Sequence, residues 1–384
     1  MTVIKNTFIK WSSYFRSTGI LLLTVTILSL ILSNSSISER YIDFWNVNRF
    51  SFSGHQENLL FVINDFLMAI FFLHVGLEIK REFVIGELSS FKKSITPLVA
   101  AIGGMVVPAA IYLILNFQSS TANGWGIPMA TDIAFAIAIL SLAGKNIPVG
   151  LKLFLMTLAI IDDLGAVIVI AIFYSHQLML NYLLYAAVVF SLMITMNFLK
   201  IKNIIYYLFL ALIAWYFILC SGVHATIAGV VTALFIPLKD NSGIGSPLER
   251  LKDSLIIPVD YLILPLFAVA NTAMKLEFSS FSEWINTATI GVCLGLIIGK
   301  PVGIYYSTKM IVKSGIGKLP DGCDFRKIAG AGMLGGIGFT MSIFILMLAF
   351  PNHELQTSIK FVILLASVLM GVAGFVTLRK STSA

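Results

Sequence analysis

The sequence predicts an all-α membrane protein of about twelve transmembrane helices, and three observations carry that reading. Hydrophobic residues make up 58% of the 384 and charged residues only 12%. Mean hydropathy is +0.93. Apolar stretches of span length recur from end to end, and roughly 20 such residues cross a bilayer core as a helix that satisfies its own backbone.

In chain order the stretches fall at 16–34, 58–80, 95–116, 124–143, 149–174, 182–199, 204–220, 222–237, 255–271, 288–311, 328–350 and 357–378. No linker between them is long enough to hold a soluble domain, so 1–384 reads as one transmembrane domain. With a cytoplasmic N-terminus, twenty-one Lys and Arg face the cytoplasm, while Arg40, Arg49, Lys275 and Lys360 face outward and Lys300 stays inside a span. The positive-inside rule then puts both termini in the cytoplasm and favours an even number of spans. It also accounts for the net charge of +7 without nucleic acid as a partner. Cys220, Cys293 and Cys323 give neither a disulfide framework nor metal-ligand spacing. The first 34 residues have features of a signal peptide but read better as an uncleaved first helix. Segment 37–57 faces outside. Its alternating stretch from Asn48 to Ser53 fits a short strand pair, an extracytoplasmic hairpin, although an irregular loop needs fewer assumptions.

Two spans are poorly suited to simple helices. The fourth opens GWGIPMATDIAFAIAIL, with Gly124, Gly126 and Pro128 just before Thr131 and Asp132. The eleventh, IAGAGMLGGIGFTMSIFILMLAF, gathers Gly330, Gly332, Gly335, Gly336 and Gly338 at mid-span. Such residues weaken a helix, or serve close packing between helices. Their positions match. Each is the middle of a three-helix group, and the two groups, approximately 95–174 and 288–378, run in opposite directions. Interrupted segments at corresponding places in inverted repeats point to a transporter's central site.

The fifth span carries Asp162 and Asp163 side by side in LAIIDDLGAVIVIA. A buried carboxylate costs several kcal/mol unless paired, so charges within a span face a bundle interior or wet cavity and mark an ion or proton path. Neighbours on a helix point about 100° apart, so one of the two faces the cavity and the other reaches a neighbouring helix.

The motifs WGIPMATDIAFAIAIL, LAIIDDLGAVIVIA, FLHVGLEIKRE, SGVHATIAGV, YLILPLFAVAN, GKPVGI and GMLGGIGFTMSIFI resemble those of bacterial sodium/proton antiporters of the NhaA family, from about Asn58 to Arg379. The resemblance implies a secondary transporter and no enzyme. It would expel Na+ or Li+ from the cell in exchange for H+ across the inner membrane, with no cofactor, surrounded by lipid and assembled as a homodimer. It assigns the competition between cation and protons to Asp163, the ligand of the transported metal ion, with Asp162 and Thr131. Lys300 becomes the partner of Asp162. Asp132 and Lys300 offset the partial charges of helix ends inside the membrane. An acidic cytoplasmic entrance with a role in pH response falls on Asp65, Glu78 and Glu82, although Glu82 with Lys80 and Arg81 also suits an ordinary interfacial anchor.

The sequence departs from the family in several places. His74 stands where an aliphatic residue is expected. It shares a helix face with Glu78 and titrates in the relevant range, or simply packs. The loop around 249–253 carries a rearranged charge order, which puts a pH sensor there in doubt. Asp260 is an unexpected acid that reads as solvated at the interface, and His224, alone in its motif, reads as structural. Three other classes fit less well. An intramembrane aspartyl protease needs its acids on different helices in YD and GxGD settings, which are absent. A channel needs a continuous pore, against which inverted broken helices argue. A carrier of organic substrates needs more aromatic and donor groups around the aspartates.

Overall fold

The computed structural model describes residues 2–52, 55–144, 147–175, 178–238, 246–276 and 285–383, at backbone level only for 2–16, 50, 52, 55, 92, 93, 382 and 383. Lys145 and Lys239 of the charge distribution lie outside the described residues, as do the side chains of Lys5, Lys10, Arg16, Lys92 and Lys93. In chain order the elements are α1 (Thr2–Ser33), α2 (Ser38–Asn46), strands β1 (Phe50–Phe52) and β2 (His55–Glu57), α3 (Leu59–Val84), α4 (Phe91–Asn116) and a 3₁₀ helix (Ala122–Met129). There follow α5 (Ile133–Leu142), α6 (Val149–Phe173), α7 (Leu180–Phe198), α8 (Ile204–Cys220), α9 (Ile227–Phe235), α10 (Pro247–Asn271), α11 (Thr287–Lys313), α12 (Phe325–Gly335), α13 (Phe339–Ala349) and α14 (His353–Ser383).

Among the described residues eight helices are long and apolar enough to cross a membrane, and ten spans result if α1 with α2, and α12 with α13, each count as one. The two other apolar stretches form α8, of 17 residues, and α9, of 9. The second is short because residues 221–226 form turns rather than the helix expected from residue 222.

Contacts divide the chain into two compact units, Met1–Leu30 with Ser90–Ala166 and Met274–Ala384, and Ile31–Ser89 with Val167–Ala273. In the first, α4 packs along α11. Gly103 and Gly303 meet at their crossing, and a Cβ on Gly303 would lie 2.2 Å from the Gly103 carbonyl oxygen. With lipid as solvent, such backbone contact supplies the packing that hydrophobicity cannot. Away from the crossing, Ile102, Val106 and Ile114 of α4 and Val302, Tyr306 and Met310 of α11 are exposed, an apolar face suited to acyl chains. Both expected interruptions are present. The chain is extended between the 3₁₀ helix and α5, and α12 and α13 meet at a 45° bend over residues 336–338.

In the second unit α3 packs on α9, around a core that includes Leu73, Leu77, Tyr207 and Leu248. Here the segment after residue 48 corrects the irregular-loop reading. β1 and β2 pair antiparallel in the register Phe50↔Glu57 and Phe52↔His55, and Arg49 N–H extends the ladder to Glu57 O at 2.9 Å. Alternating aromatic and polar residues favour this pleated arrangement. The stretch 249–253 is also helix rather than loop. Ser246 and Glu249 form a reciprocal capping box with Pro247 in the first turn, which starts α10 well before residue 255. Asp260 is buried, not solvated at the interface, and lies within a π turn at Val259–Ile263 whose extra residue redirects the side chains of that turn. Two more π turns, Val62–Leu67 in α3 and Gly295–Gly299 in α11, have no counterpart in the sequence reading.

The Gly103–Gly303 contact predicts that Gly303→Val destabilises the protein by about 1–3 kcal/mol or more, since both neighbours are backbone and cannot turn aside. Val302→Ala, on the exposed face, leaves stability nearly unchanged. Thermal unfolding of the purified variants checks the pair, and equal midpoints for both would contradict the crossing.

Candidate ion-binding site

The site lies in the first unit, where the two interrupted spans meet. Breaking a helix in a membrane frees N–H groups at one end and carbonyls at the other, with partial charges of roughly half an electron at each. Two side chains answer this.

Asp132 caps α5. Its Oδ1 accepts from the Phe135 N–H at 3.0 Å. Its Oδ2 accepts from the Thr340 N–H at 3.2 Å and from the Thr340 hydroxyl. Its own N–H donates to Ile337 O at 2.7 Å. One carboxylate therefore serves the first turns of α5 and α13, each a concentration of positive partial charge. Ser367 Oγ accepts the Phe339 N–H at 3.1 Å, and Ser342 Oγ donates to Ile127 O at 2.8 Å, tying the halves together further.

Lys300 serves the opposite ends. It follows the π turn of α11, is wholly buried, and donates from Nζ to Met129 O, the last carbonyl of the 3₁₀ helix. It also donates to Thr131 Oγ1 and, at 2.7 Å, to Asp162 Oδ2. Thr131 Oγ1 stands 2.7 Å from Asp162 Oδ2 and 2.9 Å from Gly335 O, the carbonyl that ends α12. The sequence-predicted residues Asp162, Thr131 and Lys300 are thus joined directly, and Asp132 sits one residue away on its own partners. Asp163, the next residue of α6, is also buried, at 3% exposure. Thr340, Ser342 and the carbonyls of Met129 and Gly335 were not singled out from the sequence. The hydroxyls of GFTMSIF just past the glycine break were the available signal for two of them.

The other predicted residues belong to the second unit. Asp65, inside the π turn of α3, lies with Oδ1 3.6 Å from His224 Nε2, and Trp215 Nε1 donates to its carbonyl at 3.3 Å. His224 Nδ1 is also 2.8 Å from Thr226 Oγ1. His74 and Glu78 share the electrostatic neighbourhood of Lys252, itself buried and 2.9 Å from Asp253. Glu82 Oε1 meets Arg81 at 2.6 Å, and its Oε2 accepts from the Glu87 N–H at 3.0 Å. Lys80 donates to the Leu234 and Ile236 carbonyls at 2.7 and 2.6 Å.

Among the described residues no three His, Cys, Asp or Glu converge as a transition-metal site would require. The oxygen donors near Lys300 are carboxylate, hydroxyl and backbone carbonyl, a set that suits hard cations. Residues 10–378, nearly the whole chain, match the family described as Na+/H+ antiporter 1. The chain belongs to that family. Among its relatives, a Na(+)/H(+) antiporter NhaA of Flavobacterium psychrophilum is 48% identical over 364 residues, 95% of this chain and 93% of the relative. The Na(+)/H(+) antiporter NhaA 2 of Flavobacterium johnsoniae is 48% identical over 375 residues, covering 96% and 92%. The Na(+)/H(+) antiporter NhaA of Proteus mirabilis is 44% identical over 385 residues, covering 99% and 97%. Na+/H+ antiporter 1 proteins are secondary transporters and not enzymes, and in this member both interrupted spans and the Asp162–Lys300 pair are built from stretches inside the match.

Because Lys300 is ion-paired with the buried Asp162 at 2.7 Å, Lys300→Met strands a buried carboxylate. That variant is expected to lose about 3–5 kcal/mol of stability, most of it regained when Asp162→Asn is added. A thermal-unfolding double-mutant cycle measures the coupling. Additive losses would show that the pair contributes nothing beyond its separate contacts.

Proposed function

We propose that the chain exchanges Na+ for H+ across the bacterial inner membrane, with Li+ as an alternative cation. The observation that carries the proposal is the pair of adjacent buried carboxylates, one ion-paired with Lys300, at the meeting point of two interrupted spans in a chain of this family. In this reading Asp163 is the main ligand for cation and proton. Asp162 and the Thr131 hydroxyl contribute further oxygens, and Asp132 and Lys300 offset the charges of the helix ends.

The mechanism is competition at one site open alternately to each side. From the cytoplasm a cation displaces protons from the carboxylates. After reorientation, protons entering from outside take its place and release it. The titrating groups are coupled, so their proton affinities belong to the site as a whole. Where more than one proton leaves per cation, the exchange moves net charge and the membrane voltage drives it. Asp65, His74, Glu78 and Glu82 form the cytoplasmic approach and the pH response. We further infer twelve spans in one domain, with inverted repeats over approximately 95–174 and 288–378, both termini in the cytoplasm, and a homodimer formed through the 37–57 segment.

The test is cation-induced collapse of a proton gradient in everted vesicles from an antiporter-deficient host, between pH 6.5 and 8.5. Sodium is expected to collapse the gradient through the wild type and not through Asp163→Asn, and the half-saturating sodium concentration falls as pH rises because protons compete less. No response to sodium or lithium at any pH, with the protein present in the membrane, would overturn the reading in favour of another proton-coupled substrate.

A further inference from the structure

Within the first unit α1, α5, α13 and α14 enclose a groove of about 350 Å³. That volume falls within the roughly 300–1,000 Å³ of sites that take small molecules. The wall is almost wholly aliphatic and aromatic, and its two hydroxyls are already engaged: Thr26 donates to Leu22 O at 2.7 Å, and Ser367 accepts the Phe339 N–H at 3.1 Å. Nothing in it would hold a polar ligand. It opens outward between Ile27 of α1 and Val368 and Val372 of α14, all more than half exposed.

We propose that this groove is a binding site for one acyl chain of an anionic phospholipid, whose headgroup rests at Arg379. Two dimensions on the molecule select this occupant. Along α14 the groove runs from Leu364 to Phe375. At 1.5 Å per residue that is about 16 Å, close to half of a hydrocarbon core of about 30 Å, the depth of a single leaflet. One turn beyond Phe375 the helix carries Arg379, exposed, with its guanidinium 5.9 Å from the centre of the Phe375 ring, and exposed Lys380 follows. An apolar slot one leaflet deep that ends in an aromatic ring and two cations has the order of chemistry of an acidic lipid: chain, interface, phosphate.

The floor of the groove gives the site a consequence. It is formed by Phe135 and Phe339, whose rings meet edge to face at 5.0 Å. These residues lie in the first turns of α5 and α13, the two helices capped by Asp132. A chain seated here packs against these two rings and stabilises the conformation in which they are in contact.

The test uses the full-length protein in detergent, incubated with equal amounts of phosphatidylglycerol and phosphatidylcholine and weighed intact by mass spectrometry. The wild type is expected to retain phosphatidylglycerol about tenfold over phosphatidylcholine at one position. Val372→Trp and, independently, Val368→Trp fill the mouth from exposed positions and are expected to retain one lipid fewer. Arg379→Gln is expected to lose the preference between the headgroups while keeping the bound chain. Equal lipid counts in the wild type and whichever Trp variants fold, or no headgroup preference in the wild type, would overturn the proposal. So would a dimer that both Trp variants dissociate at unchanged lipid count, which would assign the groove to a second copy of the chain.

Discussion

The site depends on the electrostatics of helix ends in a medium that cannot solvate them. Two spans stop and restart inside the first unit, leaving four helix ends where water is scarce. The arrangement holds because positive and negative ends are gathered separately and each set meets a single opposite charge. Asp132 takes the two N-terminal ends, and Lys300 takes the carbonyl ends, one directly and the other through Thr131. The crossing is therefore held together by the side chains of Asp132, Thr131, Lys300 and Thr340 as well as by packing.

A buried ion pair is a poor device for stability alone. Replacing one with apolar residues of similar volume is often neutral or favourable by about 1–4 kcal/mol. Asp162 and Lys300 form such a pair in the first unit, 2.7 Å apart and screened from solvent, so stability alone does not account for it. The packing around it has the opposite character. Gly103 and Gly303 bring two backbones together with no room for adjustment.

Much of this was legible in the sequence because membrane depth makes exceptions conspicuous. Acids in an apolar run, glycines at mid-span and one stray lysine all stand out, and Asp132, Asp162, Asp163 and Lys300 were found that way. The π turns were not, since in spans apolar on nearly every face the phase shift of one inserted residue leaves no mark in the sequence. They nonetheless hold Asp65 and immediately precede Lys300. Thr340 escaped because a threonine in a span is usually absorbed by its own helix, as Thr308 is by Ile304 O. Only the crossing of distant segments turns its hydroxyl toward Asp132. The capping box of Ser246 and Glu249 is written in the sequence as S-x-x-E, but Glu249 is also one of four charged residues in five positions, which is the pattern of a solvated loop.

The Thr131 hydroxyl has one proton and two acceptors within reach, Asp162 Oδ2 and Gly335 O, while it accepts from Lys300. Rotation about a single C–O bond therefore switches the site between two wirings without displacing a heavy atom. In one, Asp162 is doubly solvated by protein donors and the α12 carbonyl lacks this donor. In the other the carbonyl is satisfied and the carboxylate offers a lone pair to whatever arrives. Serine would preserve both states and valine neither. The smallest movable part of the site is then a hydrogen atom, placed between the end of a broken helix and the acid paired with Lys300.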